Sequence, residues 1–510
     1  MAAGRSGWLS ALILSAGSGL LAGLALPPLG WPPLLWLALA ALWALASRPW
    51  AGLVWGSCAV AISHRWLLAL HPLDWIGVPL PLSLPLCLLL LALISALGGA
   101  LVGLWLLLAR RLGPQRPLSA LLLALLWGGG EILLGRSPLF WIGLGGAALP
   151  ADRALAAWAS WGGSGLVAAL QLALGWLLWR LLLGPSRRRQ LALLLAGLLV
   201  SHGVGVLLLA GLPSERPLDA AGAIERVLVL QPAIPTRDKF SALQRQSLQR
   251  QLALALRQGQ RQGADLLVLP EGALGLEPRL DAPAPIELIS GGFRWHEGPR
   301  QLEQRSALLR FDAGEQVPGS WLDKHRLVPL GEWVPLAGLV RWSGLSAVGG
   351  IEPGPPSRLL PRQRGGLAAA ICYELANGSA LAHAVHDGAQ WLLASANLDP
   401  YPPALQRQFA ALAQLRALET GRWLVSAANT GPSLLISPRG RVVAGLPPSR
   451  ASTGLFPVPR LQQLTVYDRV GDLPLLVLTL LVALLVALLR WPWAPARART
   501  QQSPQPHASD

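Results

Sequence analysis

The sequence predicts a multi-pass α-helical membrane domain joined to a layered α/β domain. Two observations predict the division: long apolar segments fill the first part and recur once near the end, and between them a stretch of about 250 residues alternates short apolar runs with polar helices. Composition agrees, because 53% of the 510 residues are hydrophobic and only 13% are charged.

Seven apolar segments come first: Trp8 to Leu26, Trp31 to Ala46, Trp50 to Leu70, Ile76 to Ala109, Leu118 to Leu134, Trp158 to Leu183 and Leu191 to Leu212. Most reach or approach the length that crosses a hydrocarbon core of about 30 Å, although the second is short and the fourth opens with a Pro-rich, irregular piece. The first runs directly into PPLGWPP and another apolar stretch, so it is not read as a cleavable signal peptide. Leu473 to Leu489 is the eighth, making eight expected crossings: seven in a membrane domain at 1–222, an outer domain at 223–472, the last helix at 473–490 and a disordered tail at 491–510.

The net charge of +16 raises the question of nucleic acid. Most of that excess sits at alternate ends of the apolar segments, in SRP (47–49), RRLGPQR (110–116), RLLLGPSRRR (180–189) and Arg490. It therefore reads as a topology signal with these loops inside, which places the α/β domain outside the cytoplasm and assigns no nucleic-acid partner. Trp8, Trp31, Trp50, Trp158 and Trp491 suit interfacial anchoring.

In the outer domain, 224–232, 264–271, 307–311, 367–371, 391–396, 423–427 and 433–436 read as strands, and Ser241 to Gln262, Ser379 to His386 and Ala404 to Glu419 as helices. SPRGR (437–441) reads as a hairpin turn. Neither an internal repeat nor a nucleotide-binding Gly motif is visible, and neither cofactor nor metal is expected.

Three features could carry chemistry. In GLAAAICYELANG (366–378) an apolar strand delivers Cys372, Tyr373 and Glu374 before a turn. Cys372 has no disulfide partner in the outer domain; alone it reads first as a buried structural thiol, the commoner fate of a lone Cys, and second as a nucleophile. In LVLPEG, Glu271 ends a strand, where a side chain reaches a site at the strand ends or simply faces solvent. WLDKHRLVPLGEWVP (321–335) is a Pro-punctuated loop with Lys324, Glu332 and Trp333. In the membrane part, His64, Arg65 and Glu131 are ionisable residues inside apolar segments. Arg65 reads either as functional or as snorkelling to the interface, and Glu131 as a structural hydrogen-bonding group. Cys58 and Cys87 read as small packing residues.

Taken together, these motifs resemble the Glu, Lys and Cys triad of the nitrilase superfamily. With eight membrane segments, the chain is similar within that superfamily to the apolipoprotein N-acyltransferases. PPLGWPPLLWL, GEILLGRSPLFWIGLG (130–145), WGGSGLV (161–167), LQPAIPTRDKF (230–240), VLPEGAL, DKHRLVPLGEWVP, ICYE and TVYDRVGDLPLL (465–476) carry the resemblance. It implies the α-β-β-α sandwich and transfer of an acyl chain from a phospholipid to the α-amino group of a lipoprotein's diacylglyceryl-Cys. It also implies Cys372 as nucleophile, Glu271 as general base and Lys324 as oxyanion cation. Glu332, Tyr373, Glu374 and Trp333 would support them, in an inner-membrane monomer with its catalytic domain on the periplasmic side. SANLDPYPP (395–403) departs from the family's usual loop, with Tyr401 in place of its aromatics, and Phe240 replaces a frequent Trp. Loops between Leu336 and Gly366, with Trp333 and Trp342, are expected to cover an apolar entrance. The rival readings are a membrane-anchored nitrilase-type amidase and a transporter with an outer sensing domain.

Overall fold

The structure is a computed structural model, and it describes residues 2–74, 78–215, 224–237, 241–298, 302–329, 331–332 and 350–490. Phe240, Trp333, Trp342, Trp491, the tail 491–510 and residues 336–349 of the expected entrance loops lie outside the described residues.

Eight apolar helices occupy the expected places: Ala2–Ala25, Pro32–Ala44, Pro49–Ser63, Leu80–Leu112, Pro117–Arg136, Ala159–Leu183, Arg187–Gly211 and Leu473–Arg490. Six contain a stretch long and apolar enough to cross a membrane. Pro32–Ala44 and Pro49–Ser63 have 13 and 15 residues. At 1.5 Å per residue they rise roughly 20 and 23 Å, short of a core about 30 Å thick. The expected third segment, Trp50 to Leu70, is cut because the α-helix stops at Ser63 and the chain continues as a 3₁₀ turn, Arg65–Leu70. Large apolar side chains point outward from these helices, Leu104 at 64%, Leu133 at 70% and Leu199 at 74% exposure, as a lipid-facing surface requires.

The second part is built on two six-stranded sheets. Strands β1 (Ile224–Gln231), β2 (Leu266–Val268), β3 (Glu287–Glu297), β4 (Leu302–Phe311) and β5 (Ser320–Asp323) form one with β12 (Ser452–Pro459), in the order β12-β1-β2-β3-β4-β5. Strands β6 (Leu359–Leu360), β7 (Gly366–Ile371), β8 (Ala389–Ala396), β9 (Leu424–Ala428), β10 (Leu434–Ile436) and β11 (Val442–Gly445) form the other, ordered β11-β10-β9-β8-β7-β6. Each has a parallel centre, β1-β2-β3 and β7-β8-β9, with antiparallel flanks.

Strand alternation explains the layering. Val227, Val229, Leu266, Val268 and Ile289 pack with Ala369, Ile371 and Leu393 of the other sheet, whereas Leu228, Leu230, Leu267 and Leu288 pack with Leu252 and Leu256 of the helix Ala242–Gln262. Gly378–His386 and Pro403–Thr420 cover the second sheet, giving the layers α-β-β-α.

Five strands depart from the sequence reading. β3, β5, β6, β11 and β12 have no clean alternation: β3 carries Gly291–Gly292 and several charges, and β12 contains Pro, which an edge strand tolerates. Conversely 264–271 yields only a three-residue strand, because the chain turns at Pro270. SPRGR is the expected turn, between β10 and β11, with Gly440 at φ +70.

The two parts share one apolar core. Phe140 stacks on Phe409 with ring centroids 4.9 Å apart, Gln408 Nε2 donates to Pro27 O at 3.1 Å, and Ser164 N donates to Glu419 Oε1 at 3.1 Å.

Candidate active site

Glu271, Lys324 and Cys372 stand just beyond the C-terminal ends of β2, β5 and β7, so both sheets deliver side chains to one place. Lys324 is fully buried, and its Nζ lies 2.7 Å from Glu271 Oε1 and 2.7 Å from Glu332 Oε1. Asn397 N, past β8, donates to Glu271 Oε2 at 3.0 Å, and Val328 N donates to Glu332 Oε2 at 2.9 Å. Cys372 lies close enough to Glu271 and Lys324 that both charges act on its thiol. Glu271 can approach the first sheet only because residue 291 lacks a side chain: a Cβ there would sit 2.4 Å from Glu271 Cα.

Cys372 begins a 3₁₀ turn, Cys372–Ala376, at φ +54, a left-handed conformation that costs a non-glycine residue of the order of 1–3 kcal/mol. The strain is held by Glu374. Its carboxylate accepts from Ile371 N (2.9 Å), His325 N (2.7 Å) and Arg326 N (3.1 Å), and it pairs with Arg358 Nη1 at 2.7 and 2.9 Å. One buried carboxylate thus fixes the chain on both sides of the reacting atoms. Arg358 Nη2 also donates to Asp323 O, at 2.9 Å, directly before Lys324.

Electrostatics follow from this packing. Burial alone would lower Lys324, but Glu271 and Glu332 outweigh it and hold the ammonium well above the ordinary lysine range. Burial raises Cys372 well above the usual thiol value and Glu271 adds to this, against opposition from Lys324; the resting thiol is neutral. Glu332 is raised by burial and by Glu271, despite Lys324.

Tyr401 lies close enough to Tyr373 for the two hydroxyls to influence each other, so the departure in SANLDPYPP supplies a ring near the nucleophile. Tyr373 faces Phe140 at 5.1 Å, and Tyr401 faces Trp66 at 5.6 Å. A cavity of about 280 Å³ opens there, lined by Tyr373, Pro329, Phe140, Trp66, Leu93 and Leu97. Membrane helices therefore supply much of its apolar lining.

The sequence reading did not assign Arg358, Asn397 or Asn429, which orient the site. Asn429 Nδ2 donates to Asn397 Oδ1 at 2.9 Å. A usable signal was available at Lys324: the chain uses Arg for nearly every cation and keeps Lys only at 239 and 324. In the membrane part, Glu131 accepts from Trp127 Nε1 (2.9 Å), Leu144 N (2.7 Å) and Gly145 N (3.3 Å), a structural role. His64 is buried between Ser63 Oγ and Phe140 O, while Arg65 is exposed and donates to Ile62 O at 2.6 Å. Cys87 is buried and Cys58 partly so. Among the described residues no cluster of His, Cys, Asp or Glu has the makings of a metal site.

Comparison with known proteins accords with this geometry. Residues 286–460 match the carbon-nitrogen hydrolase family, and 18–177 match the apolipoprotein N-acyltransferase N-terminal domain. The chain is 48% identical to the apolipoprotein N-acyltransferase of Prochlorococcus marinus (strain MIT 9313), over 92% of this chain and 94% of that one. It is 48% identical to that of Parasynechococcus marenigrum (strain WH8102), over 88% and 95%, and 33% identical to that of Thermosynechococcus vestitus, over 93% and 92%. A nitrilase-like sandwich grown onto a bundle of apolar helices, with relatives this similar over nearly their whole length, means that the chain belongs to the apolipoprotein N-acyltransferase family.

Proposed function

We propose that this protein moves a fatty acyl chain from a phospholipid to the α-amino group of a lipoprotein's N-terminal diacylglyceryl-Cys, by way of a thioester on Cys372. The observation that carries the reading is a buried thiol under the charges of Glu271 and of the buried lysine that Glu271 holds, beside an apolar cavity lined largely from membrane helices.

Glu271 takes the thiol proton as Sγ attacks the ester carbonyl, and Lys324 neutralises the oxyanion. Collapse breaks the C–O bond, and the lysophospholipid alcohol leaves with the proton from Glu271. The lipoprotein amine then attacks the thioester and gives a proton to Glu271; the C–S bond breaks, and the departing thiolate recovers that proton as the amide is released. Glu332 shares Lys324 and keeps it directed at the site. Tyr373 and Glu374 act as supports, and Trp333 belongs to the same proposed set by its place in the GEWVP motif.

The bilayer is the natural source of donor and acceptor, since drawing an acyl chain into water costs about 0.8 kcal/mol per CH₂. The cavity beside Tyr373 suits entry from that side. The reading extends to eight crossings, a membrane domain at 1–222, a catalytic domain at 223–472 and a last helix at 473–490, with the catalytic domain on the periplasmic face of the inner membrane and the chain acting as a monomer. Purified protein incubated with phospholipid and a diacylated lipopeptide bearing a free amine should yield the triacylated amide. Release of free fatty acid without amide would instead favour the membrane-anchored amidase.

A further inference from the structure

A second cavity, of about 580 Å³, lies between the helices Leu80–Leu112 and Pro117–Arg136, with none of Glu271, Lys324 and Cys372 in its lining. The two helices are joined at the Arg-rich end by the short loop 113–116. Trp55, Gly56 and Trp141 to Leu144 also line it. Its rim is lipid-facing, with Leu104 and Leu133 at 64% and 70% exposure. Gly130 lines the wall, and a Cβ added there would meet nothing within 4 Å.

The cleft is built for one extended chain with an anionic head. From Gly98 to Arg111 its wall runs roughly 20 Å at 1.5 Å per residue, longer than one leaflet of a core about 30 Å thick. The lining is almost wholly apolar, and the carboxylate of Glu131 at the inner end is already taken by three N–H groups. Arg111 stands at the other end, exposed, with Arg110 and Arg116 exposed nearby. Arg490 donates to Arg111 O at 3.3 Å, adding another cation to the mouth. An apolar void of this size facing hydrocarbon stays dry and is filled by hydrocarbon.

We propose that this cleft is a binding site for an anionic glycerophospholipid, with one acyl chain between the two helices and its phosphate at Arg111. The cleft adjoins the catalytic cavity at His64, which lines both, but its other end lies at Arg111, and its test requires no turnover.

The full-length protein is reconstituted in phosphatidylethanolamine vesicles containing a phosphatidylglycerol whose acyl chain bears a photoactivatable diazirine. After illumination, adducts are mapped by mass spectrometry. Labelling should concentrate on 101–108 and 126–134, well above that on the lipid-exposed helix Arg187–Gly211. Gly130→Leu, which fills the cleft, should cut the cleft labelling about tenfold, as displacing two buried methylenes predicts, and leave the Arg187–Gly211 signal unchanged. Arg111→Gln should remove the preference over a phosphatidylcholine probe of the same chain. Cleft labelling no stronger than on the control helix, or unaltered in Gly130→Leu, would overturn the site; an equal response to both probes in the unmodified protein would overturn the preference for an anionic headgroup.

Discussion

Glu374 and Arg358 form a buried pair in which one guanidinium nitrogen sits 2.7 and 2.9 Å from the two carboxylate oxygens. The same carboxylate holds the backbone beside Lys324 and beside Cys372, so the geometry of the reacting groups depends on a residue that touches none of them.

Glu374→Gln should therefore act twice. It leaves Arg358 buried without its counter-charge, which costs about 3–5 kcal/mol of stability, and it loosens the Cys372 turn, so kcat falls even at temperatures where the protein remains folded. Thermal unfolding and steady-state transfer measure the two effects; a variant with the parent's melting temperature and kcat removes this role.

Replacing Lys324 by Met takes away the cation between Glu271 and Glu332. Transfer should drop by a factor of about 10² to 10³, the loss typical of one oxyanion donor. Lys324→Arg should not restore it, because the ammonium site is fully enclosed and leaves no room for a planar fork. Restored transfer in that variant would contradict the assignment.

Thiol reactivity separates the two effects of Glu271. Because burial and Glu271 raise Cys372, alkylation by iodoacetamide should keep rising with pH beyond 9, the ordinary thiol value, without a plateau. Glu271→Gln removes a negative charge that opposes the thiolate, so alkylation at a fixed pH should quicken while acyl transfer slows. Transfer that does not slow in Glu271→Gln would mean that Glu271 does not act as the base, and alkylation that does not quicken would mean that its charge does not hold the thiol up.

Burial raises Glu419 and Asp468 to about 7 each, where the α/β part meets the membrane helices. The folded state thus binds more protons than the unfolded chain between the ordinary carboxylate range and about 7. Stability should fall as pH rises through that window and level off above it. Glu419→Gln keeps an oxygen for Ser164 N and should flatten part of the slope in a series of melting curves; an unchanged slope would exclude Glu419 as its source.

Much of this architecture was legible because the signals are local. Apolar runs bounded by Arg located the helices, and short apolar runs located β1, β7, β8, β9 and β10. The strands that escaped, β3 and β12 above all, take their stability from neighbours in the sheet: Arg310 in β4, for example, pairs with Glu287 in β3 at 2.6 Å. That pairing has no trace in the periodicity of either strand. The same limit applies at the site. Glu271, Lys324 and Cys372 occur in recognisable motifs, but Arg358 lies in an ordinary PPSR loop, and only the fold brings it to Glu374. Asn397 was visible as a departure from a family pattern; its backbone contact with Glu271 was not. Helix length in the membrane part was misread where Ser63 and His64 interrupt an otherwise continuous apolar segment.

The most direct measurement is the intact mass of the protein after incubation with phospholipid in the absence of any amine acceptor. The account predicts one added acyl group, located on Cys372, stable until a diacylated lipopeptide is supplied and then transferred to its amine. A protein that forms the amide product while Cys372 never carries an acyl group, or that remains active as Cys372→Ala, would contradict it.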